Sequence, residues 1–288
     1  MIDFENKSDD KPFVFEARAM ATLYQIFIQH EDKGYAEQAA LEAFEMLHDL
    51  EQELSYYISN SDVSIFNKAP VGDTIQIGEH AWNCIRQCEQ LFKITKGYFD
   101  VTFGHYKHGA KARGKFRGLG WVTDPNKSGL VLKKEDVQID LGGMGKGYAL
   151  DQLALLLEDW EIENFLIHGG RSSVLCKGHM SSENNGWPVS VSLVGDDQQE
   201  AIFLKDESMS SSGLLKGDHI IDPATGKGTK ESRATWIIGP NAAITDGLST
   251  ALMMMASSDI KKLVKKNAGY KVILREDKKK KVKYFGFS

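Results

Sequence analysis

The segment IDLGGMGKGYALD, residues 139–151, is the most informative stretch of the chain because it holds four glycines within six positions. The residues around the glycines predict a short strand at 137–141 and a helix over about 146–159. Glycine lets the backbone approach a ligand closely, and the free N–H groups at a helix start can bind phosphate oxygens. The spacing matches neither the GxGxxG pattern of a βαβ unit nor a Walker A loop. A tight structural turn and an anion- or nucleotide-binding loop are therefore both open interpretations.

The elements around this segment do not alternate strictly between strand and helix. The patterns predict two strands over 13–29 with a bend near residues 19–21, helices over 34–54, 77–96 (closed by Gly97) and 245–256, a strand at 234–239, and antiparallel pairs over 164–178, 188–204 and 270–287. This order favours an α+β fold with antiparallel sheets and packed helices over a doubly wound parallel sheet. We expect one compact unit over residues 13–288, preceded by a polar segment at residues 1–12.

Composition excludes several classes of protein. The chain has 288 residues, 42% of them hydrophobic, and a formal net charge of −5, so it is expected to be globular and not to bind nucleic acid. Three cysteines provide neither a disulfide framework nor a zinc site, and Cys84, Cys88 and Cys176 are predicted to be buried. No stretch is apolar enough to predict a membrane span. The N-terminus has no apolar leader, so we expect either a cytoplasmic protein or an exported one whose leader has been removed.

A second cluster, TDGLSTALMMM at residues 245–255, places Asp246 near the start of a predicted helix and Thr250 one turn later on the same face. A carboxylate and a hydroxyl so placed can reach one hard cation, and magnesium prefers such oxygen ligands. The alternative is that Asp246 is an N-cap, which accepts a hydrogen bond from the first turn of its own helix.

A third cluster, SSSGLLKGDHIIDPATGKG at residues 210–228, contains His219 close to a turn with proline. A histidine beside a phosphate site can act as a general base, whereas most single histidines are structural. Both interpretations are open from these residues alone.

Six blocks in this order resemble the ApbE family, the FAD:protein FMN transferases. They are MATLY at 20–24, LSYYISNSDVSIFN at 54–67, GYFD at 97–100, the glycine segment at 139–151, the block at 210–226 and DGLST at 246–250. The resemblance implies an α+β, T-fold-like architecture. It also implies magnesium-dependent transfer of FMN from FAD to a threonine of an acceptor protein, with FAD as substrate and AMP as product.

The resemblance also implies roles for individual positions. His219 and Asp246 match catalytic positions. Asp246 and Thr250 match side-chain ligands of Mg2+, and Gly145 and Ser249 match positions that offer backbone carbonyls to the metal. The positions matching the FAD site are Met20, Tyr57, Tyr98, Phe99, Asp100, Gly142, Tyr148 and Ile221.

This sequence departs from the family pattern at residues 169–172 (GGRS), in the short stretch 214–218 and at 225–228 (TGKG). Those departures put the identity of the acceptor in doubt more than flavin binding. Three other functions are weighed against transfer: FAD binding without chemistry, metal-dependent hydrolysis of FAD to FMN and AMP, and a purely structural role. The presence of Asp246, Thr250 and His219 favours an enzyme.

Overall fold

A computed structural model describes residues 11–102, 119–124, 126–181, 184–191, 200–213, 233–276 and 282–287. Within these residues the largest element is an eight-stranded sheet in which every neighbouring pair is antiparallel. Its strands, in spatial order, are β1 (Phe13–Ala19), β2 (Thr22–Ile28), β6 (Phe165–Gly169), β7 (Ser173–Lys177), β10 (Glu207–Gly213), β11 (Ala234–Gly239), β12 (Lys271–Arg275) and β13 (Lys283–Phe285).

Helices and two smaller sheets complete the described fold. The helices are α1 (Lys33–Leu54), α2 (Asp62–Lys68), α3 (Glu79–Ile94), α4 (Gly145–Asp159), α5 (Ala242–Leu252) and α6 (Ser257–Lys266). Strands β3 (Thr74–Gln76), β5 (Leu130–Lys133) and β4 (Trp121–Thr123) form one small sheet, and β8 (Trp187–Val191) pairs with β9 (Glu200–Leu204) in the other.

The main sheet buries both of its faces, as the alternation along β2 shows. Ile26 and Ile28 belong to a core shared with α1, α3, α4 and α5, whereas Phe27 belongs to a second core that includes Trp187 of β8. Successive side chains of a strand point to opposite faces, so one strand supplies both cores. Helix α5 packs on β10 and β11 and also contacts α4, which places α4 and α5 together over the middle of the sheet.

Most of the predicted elements are confirmed. The bend after β1 is a two-residue hairpin turn in which Met20 and Ala21 have φ of 49° and 56°. That geometry matches the twist of paired strands but is strained for residues with a side chain. Gly97 ends α3 with φ of 79°, and its N–H donates to the Phe92 carbonyl at 2.7 Å. All three cysteines are buried, as predicted. No helix in the described part of the chain is both long and apolar enough to span a bilayer.

Two predictions about elements near the glycine segment are wrong. Residues 137–140 form no strand, because Ile139 bonds through its N–H and carbonyl to the Asn67 side chain, at 2.7 and 2.9 Å, instead of to a neighbouring strand. Asp140 then accepts a bond from the Gly142 N–H at 2.8 Å, which favours the short 3-10 turn at Leu141–Gly143. Helix α5 begins at Ala242 instead of residue 245, so Asp246 lies one turn inside it and is not its N-cap.

Candidate active site

Asp246 is the centre of the candidate site, and its carboxylate is held by three groups from two elements, α4 and β7. The residue is only 4% exposed. One oxygen, Oδ2, accepts a bond from the Gly147 N–H of α4 at 3.1 Å, and the other, Oδ1, accepts from the Ser173 hydroxyl of β7 at 3.0 Å. The Lys146 ammonium lies 3.7 Å from Oδ2. A buried carboxylate needs such partners, because burial without them disfavours the charged form.

Helices α4 and α5 approach closely enough for these contacts because residue 147 is glycine. A Cβ at Gly147 would collide with the backbone oxygen of Ala242 and lie 2.8 Å from Asp246 Cβ. The N–H of Gly147 would then be displaced from the carboxylate. The glycine segment therefore works through close helix packing at this position, and not through an unusual backbone dihedral.

Gly147→Ala is expected to lower the free energy of unfolding by about 1–3 kcal/mol, the usual cost of overfilling a packed site. That loss should outweigh the gain of up to about 1 kcal/mol that alanine offers inside a helix. Urea unfolding followed by circular dichroism measures the difference. Gly145→Ala in the same helix is the matched control, because a Cβ there meets nothing within 4 Å. Equal stability of the two variants would mean that α4 and α5 separate without cost.

The side chain of Asp151, which is distant in the sequence, caps the N-terminus of α5. Its two carboxylate oxygens accept the N–H groups of Ala242 and Ala243 at 2.7 and 2.9 Å, whereas Asn241, the N-cap residue, makes no side-chain cap bond. Burial raises the pKa of Asp151, the two backbone bonds lower it and the negative charge of Asp246 raises it, and the net result is a pKa of about 6. Asp151 therefore keeps its proton to a higher pH than an ordinary aspartate does.

This raised pKa predicts a pH dependence of stability. Because the folded protein holds the Asp151 proton more tightly than the unfolded chain, the residue stabilises the fold below about pH 4. That contribution is lost as the pH rises through about 6, by up to about 3 kcal/mol. Asp151→Asn cannot ionise, so the wild-type stability minus that of Asp151→Asn should fall between pH 4 and pH 7. Urea unfolding of both proteins at each pH gives the difference, and parallel curves would contradict the prediction.

Alternate serines of β10 form a polar seam against α5. Ser208 and Ser210 lie 3.2 and 3.1 Å from the Thr245 hydroxyl, and Ser212 lies 2.8 Å from the Ser249 hydroxyl. The Ser249 hydroxyl donates to the Asp246 carbonyl at 2.8 Å. These bonds fix the rotation of α5 on the sheet and so fix the direction of the Asp246 side chain.

Phe99, Gly143 and Thr250 converge beside this seam. A methyl group built on Gly143 would lie 3.5 Å from Phe99 Cε2 and 4.0 Å from the Thr250 hydroxyl. The Phe99 ring is buried, while Thr250 is half-buried, one turn after Asp246. The 3-10 turn, the loop after α3 and the helix α5 therefore meet at one place.

Comparison with known proteins identifies the family of this chain. The profile of the ApbE family matches residues 20–274. The chain belongs to the ApbE family. A Haemophilus influenzae relative, named FAD:protein FMN transferase, is 26% identical over 300 residues, which cover 91% of this chain and 86% of the relative. A Vibrio cholerae relative of the same name is 24% identical and covers 82% of this chain and 79% of its own.

Solved ApbE structures share the fold. The apo form of the Pseudomonas stutzeri flavinyl transferase ApbE superposes with a TM-score of 0.80 at 21% identity, covering 96% of this chain and 94% of that one. The ApbE protein of Thermotoga maritima gives a TM-score of 0.80 at 23% identity, with coverage of 96% and 97%. The predicted α+β, ApbE-like fold class is confirmed.

The other positions that the ApbE resemblance assigns to the FAD site differ in how far they are exposed to solvent. Asp100 is half-buried, and burial raises its pKa although Thr102 donates two bonds to it. Tyr98 is also half-buried, Gly142 is exposed, and Tyr57 is 78% exposed with its ring edge-on to Tyr56. His219 and Ile221 lie outside the described residues.

Tyr148 and Met20 are more deeply placed. Tyr148 is buried, with its hydroxyl 3.2 Å from His80 Nδ1, so its side chain belongs to the interior of this ApbE chain. Met20 occupies the strained hairpin turn, where its N–H donates to Glu51 at 2.7 Å and its sulfur accepts from Tyr24 at 3.3 Å. Burial, followed by the charge of Asp246, raises the pKa of Tyr24, which links the Met20 turn to the carboxylate.

The sequence analysis did not predict four residues that contribute contacts to the candidate site: Lys146, Asp151, Ser173 and Ser212. Lys146 and Asp151 lie inside the glycine segment, but neither was assigned a role. The alternation of serines at 208, 210 and 212 was the available signal for a polar strand face. Ser173 had no local signal, because its contact with Asp246 joins residues 73 positions apart.

The residues that the ApbE resemblance assigns to a magnesium ion offer oxygen atoms of the kind that magnesium prefers. They are the Asp246 carboxylate, the Thr250 hydroxyl and the backbone carbonyls of Gly145 and Ser249, and the Ser249 carbonyl accepts a bond from Thr235 at 2.8 Å. The described residues contain no group of three or more His, Cys, Asp or Glu side chains arranged for a metal. Magnesium in proteins commonly takes one or two carboxylates and completes its shell with waters and substrate phosphates. A single buried carboxylate among neutral oxygens suits that mode.

Proposed function

We propose that this chain transfers FMN from FAD to a threonine of an acceptor protein. The observation that carries the proposal is the ApbE family match over residues 20–274, which includes the glycine segment, Asp246 and Thr250. Relatives that cover four-fifths or more of this chain have the name FAD:protein FMN transferase. The cluster around the buried Asp246 supports the same activity, because transfer of a phosphoryl group depends on positioning and charge stabilisation.

Magnesium would be held by the Asp246 carboxylate, the Thr250 hydroxyl and the carbonyls of Gly145 and Ser249. When bound, it would neutralise diphosphate charge and stabilise the leaving AMP. The protein's own contribution is orientation: Ser173 and Gly147 hold the two carboxylate oxygens, and Ser212 and Thr235 hold Ser249. A carboxylate held in this way loses little further freedom when it binds a ligand.

The transfer breaks the phosphoanhydride bond of FAD and forms a phosphoester bond to the threonine. The threonine oxygen bonds to the phosphorus of the FMN half, the bond from that phosphorus to the AMP oxygen breaks, and AMP leaves with the bonding electrons. His219 is proposed to accept the threonine proton, as a general base does. Residues proposed to bind FAD are Met20, Tyr57, Tyr98, Phe99, Asp100, Gly142, Tyr148 and Ile221.

The experiment is mass spectrometry of a candidate acceptor protein after incubation with this chain, FAD and Mg2+. We expect a gain of one FMN on a threonine, with one AMP released for each FMN attached. Release of FMN and AMP without modification of the acceptor would instead show FAD hydrolysis. Binding of FAD with neither product would show a flavin-binding protein. An acceptor whose threonine is replaced by valine is the matched control, because it keeps the side-chain shape and removes the hydroxyl.

A further inference from the structure

Lys146 is the cationic side chain that pairs with Asp246 in the described part of the chain. The other two partners of the carboxylate, the Gly147 N–H and the Ser173 hydroxyl, are neutral. The side chain of Lys146 is 24% exposed and that of Asp246 is 6% exposed. The ammonium thus has a route to solvent, whereas the carboxylate is fixed in place.

We propose that Lys146 competes with the divalent cation for Asp246, so that the metal binds tightly only when an anionic ligand draws the ammonium away. This inference rests on the proposed function, in which Asp246 is a metal ligand and FAD brings a diphosphate. It assigns Lys146 a positioning role that couples the two binding events.

The geometry of the pair supports a contact that forms and breaks readily. The separation between Nζ and Oδ2 is 3.7 Å, whereas a charge-assisted hydrogen bond between such groups spans about 2.7–2.9 Å. The ammonium therefore neutralises the carboxylate without a direct hydrogen bond. Lys146 can leave while Oδ2 keeps its bond from Gly147.

Charge balance explains the competition. A divalent cation bound at Asp246 would lie within a few ångströms of the ammonium, and like charges at that range repel strongly in a partly buried site. Without a flavin ligand, the metal must displace Lys146 into solvent, and the free-energy cost of that displacement lowers the affinity for the metal. A diphosphate close to Asp246 gives the ammonium a new anionic partner, so the metal then meets an unpaired carboxylate.

Linkage makes this coupling reciprocal. If FAD raises the affinity for the metal by some factor, the metal raises the affinity for FAD by the same factor, commonly about 5- to 150-fold. Lys146→Met keeps the aliphatic stem and removes the charge. It should tighten metal binding in the absence of flavin and reduce the coupling factor toward one.

The first test is titration of Mn2+ alone into the flavin-free protein, followed by electron paramagnetic resonance. Lys146→Met is expected to bind Mn2+ about tenfold or more tightly than wild type, in line with removal of a neighbouring like charge. Lys146→Arg keeps the charge and should stay close to wild type. Lys262→Met is the matched control, since Lys262 also pairs with an aspartate, Asp259 at 3.3 Å, but on the exposed surface of α6.

The second test measures FAD affinity by calorimetry with and without Mg2+, with no acceptor present and hydrolysis checked by chromatography. In wild type, Mg2+ should raise the FAD affinity by a factor between about 5 and 150. In Lys146→Met, that factor should be close to one. Equal Mn2+ affinity of wild type and Lys146→Met would overturn the competition while leaving FMN transfer, measured separately, intact. Absence of Mn2+ binding in both proteins would overturn it together with the metal site. If Lys146→Met does not fold by circular dichroism, Lys146→Gln takes its place in both tests.

Discussion

Asp246→Asn is expected to reduce FMN transfer by about 10³-fold or more while the protein stays folded. The substitution keeps the size of the side chain but removes the one negative charge among the proposed metal ligands. A metal contributes several kcal/mol to such reactions, and each ~1.4 kcal/mol is worth about tenfold in rate. Asparagine can still accept the Gly147 N–H with its oxygen, and its NH2 group can bond to the Ser173 hydroxyl, so most of the packing contacts survive.

The measurement is the single-turnover rate at several Mg2+ concentrations, with unfolding in urea on the same samples. Asp259→Asn is the matched control, because Asp259 also pairs with a lysine but is exposed on α6. If Asp246 only braces α4 against α5, its loss should lower stability by about 1–3 kcal/mol and leave the rate of the folded protein near wild type. That result would remove Asp246 from the metal site.

The elements that the sequence predicts correctly carry their signal within a short window. The β-branched and aromatic content of 13–29 and the apolar pattern of 34–54 are local signals, and both segments form the predicted strands and helix. The bend after residue 19 was also predictable in position, although residues 20 and 21 lack the glycine or asparagine that such a turn favours.

The predictions that were wrong concern elements whose structure depends on residues distant in the sequence. Residues 137–140 look like a strand, but Asn67, 72 positions away, takes the backbone bonds that a strand would need. The start of α5 was misplaced because its cap comes from Asp151, 91 positions earlier, and not from Asp246. A single sequence contains no record of such contacts, so a local capping rule can point only to a nearby carboxylate such as Asp246.

The candidate site likewise consists of residues that the sequence predicts and of supporting contacts that it does not predict. Asp246, Thr250, Phe99 and the glycine segment were predicted through the family resemblance, and the structure brings them together. The supporting contacts from Ser173, Ser212 and Lys146 come from strands and helices that meet only in the folded chain. Support of this kind orients a ligand residue and is as important to the geometry as the ligand itself.

The segment that contains His219, residues 214–232, lies outside the described residues, and the strand ends that flank it pair with each other. Gly213 pairs with Ala234, and Ser212 with Thr235, at the end of β10 and the start of β11. Ser212 and Thr235 both bond to Ser249, which is adjacent to Thr250. The described strand ends on either side of this segment thus lie beside Ser249, a proposed metal ligand.

His219→Asn is expected to keep FAD and metal binding and to lose about 10²- to 10⁴-fold in transfer rate, the usual contribution of a general base. A histidine in water titrates near about pH 6.5 and acts as a base only when neutral. The wild-type rate should accordingly rise across that range and the residual rate of His219→Asn should not. FAD affinity and single-turnover rate measured on the same variant separate this role from a structural one. If His219 only supports the flavin site, the variant should bind FAD weakly yet transfer FMN at nearly the wild-type rate when saturated, and the proton of the threonine would then leave by another route.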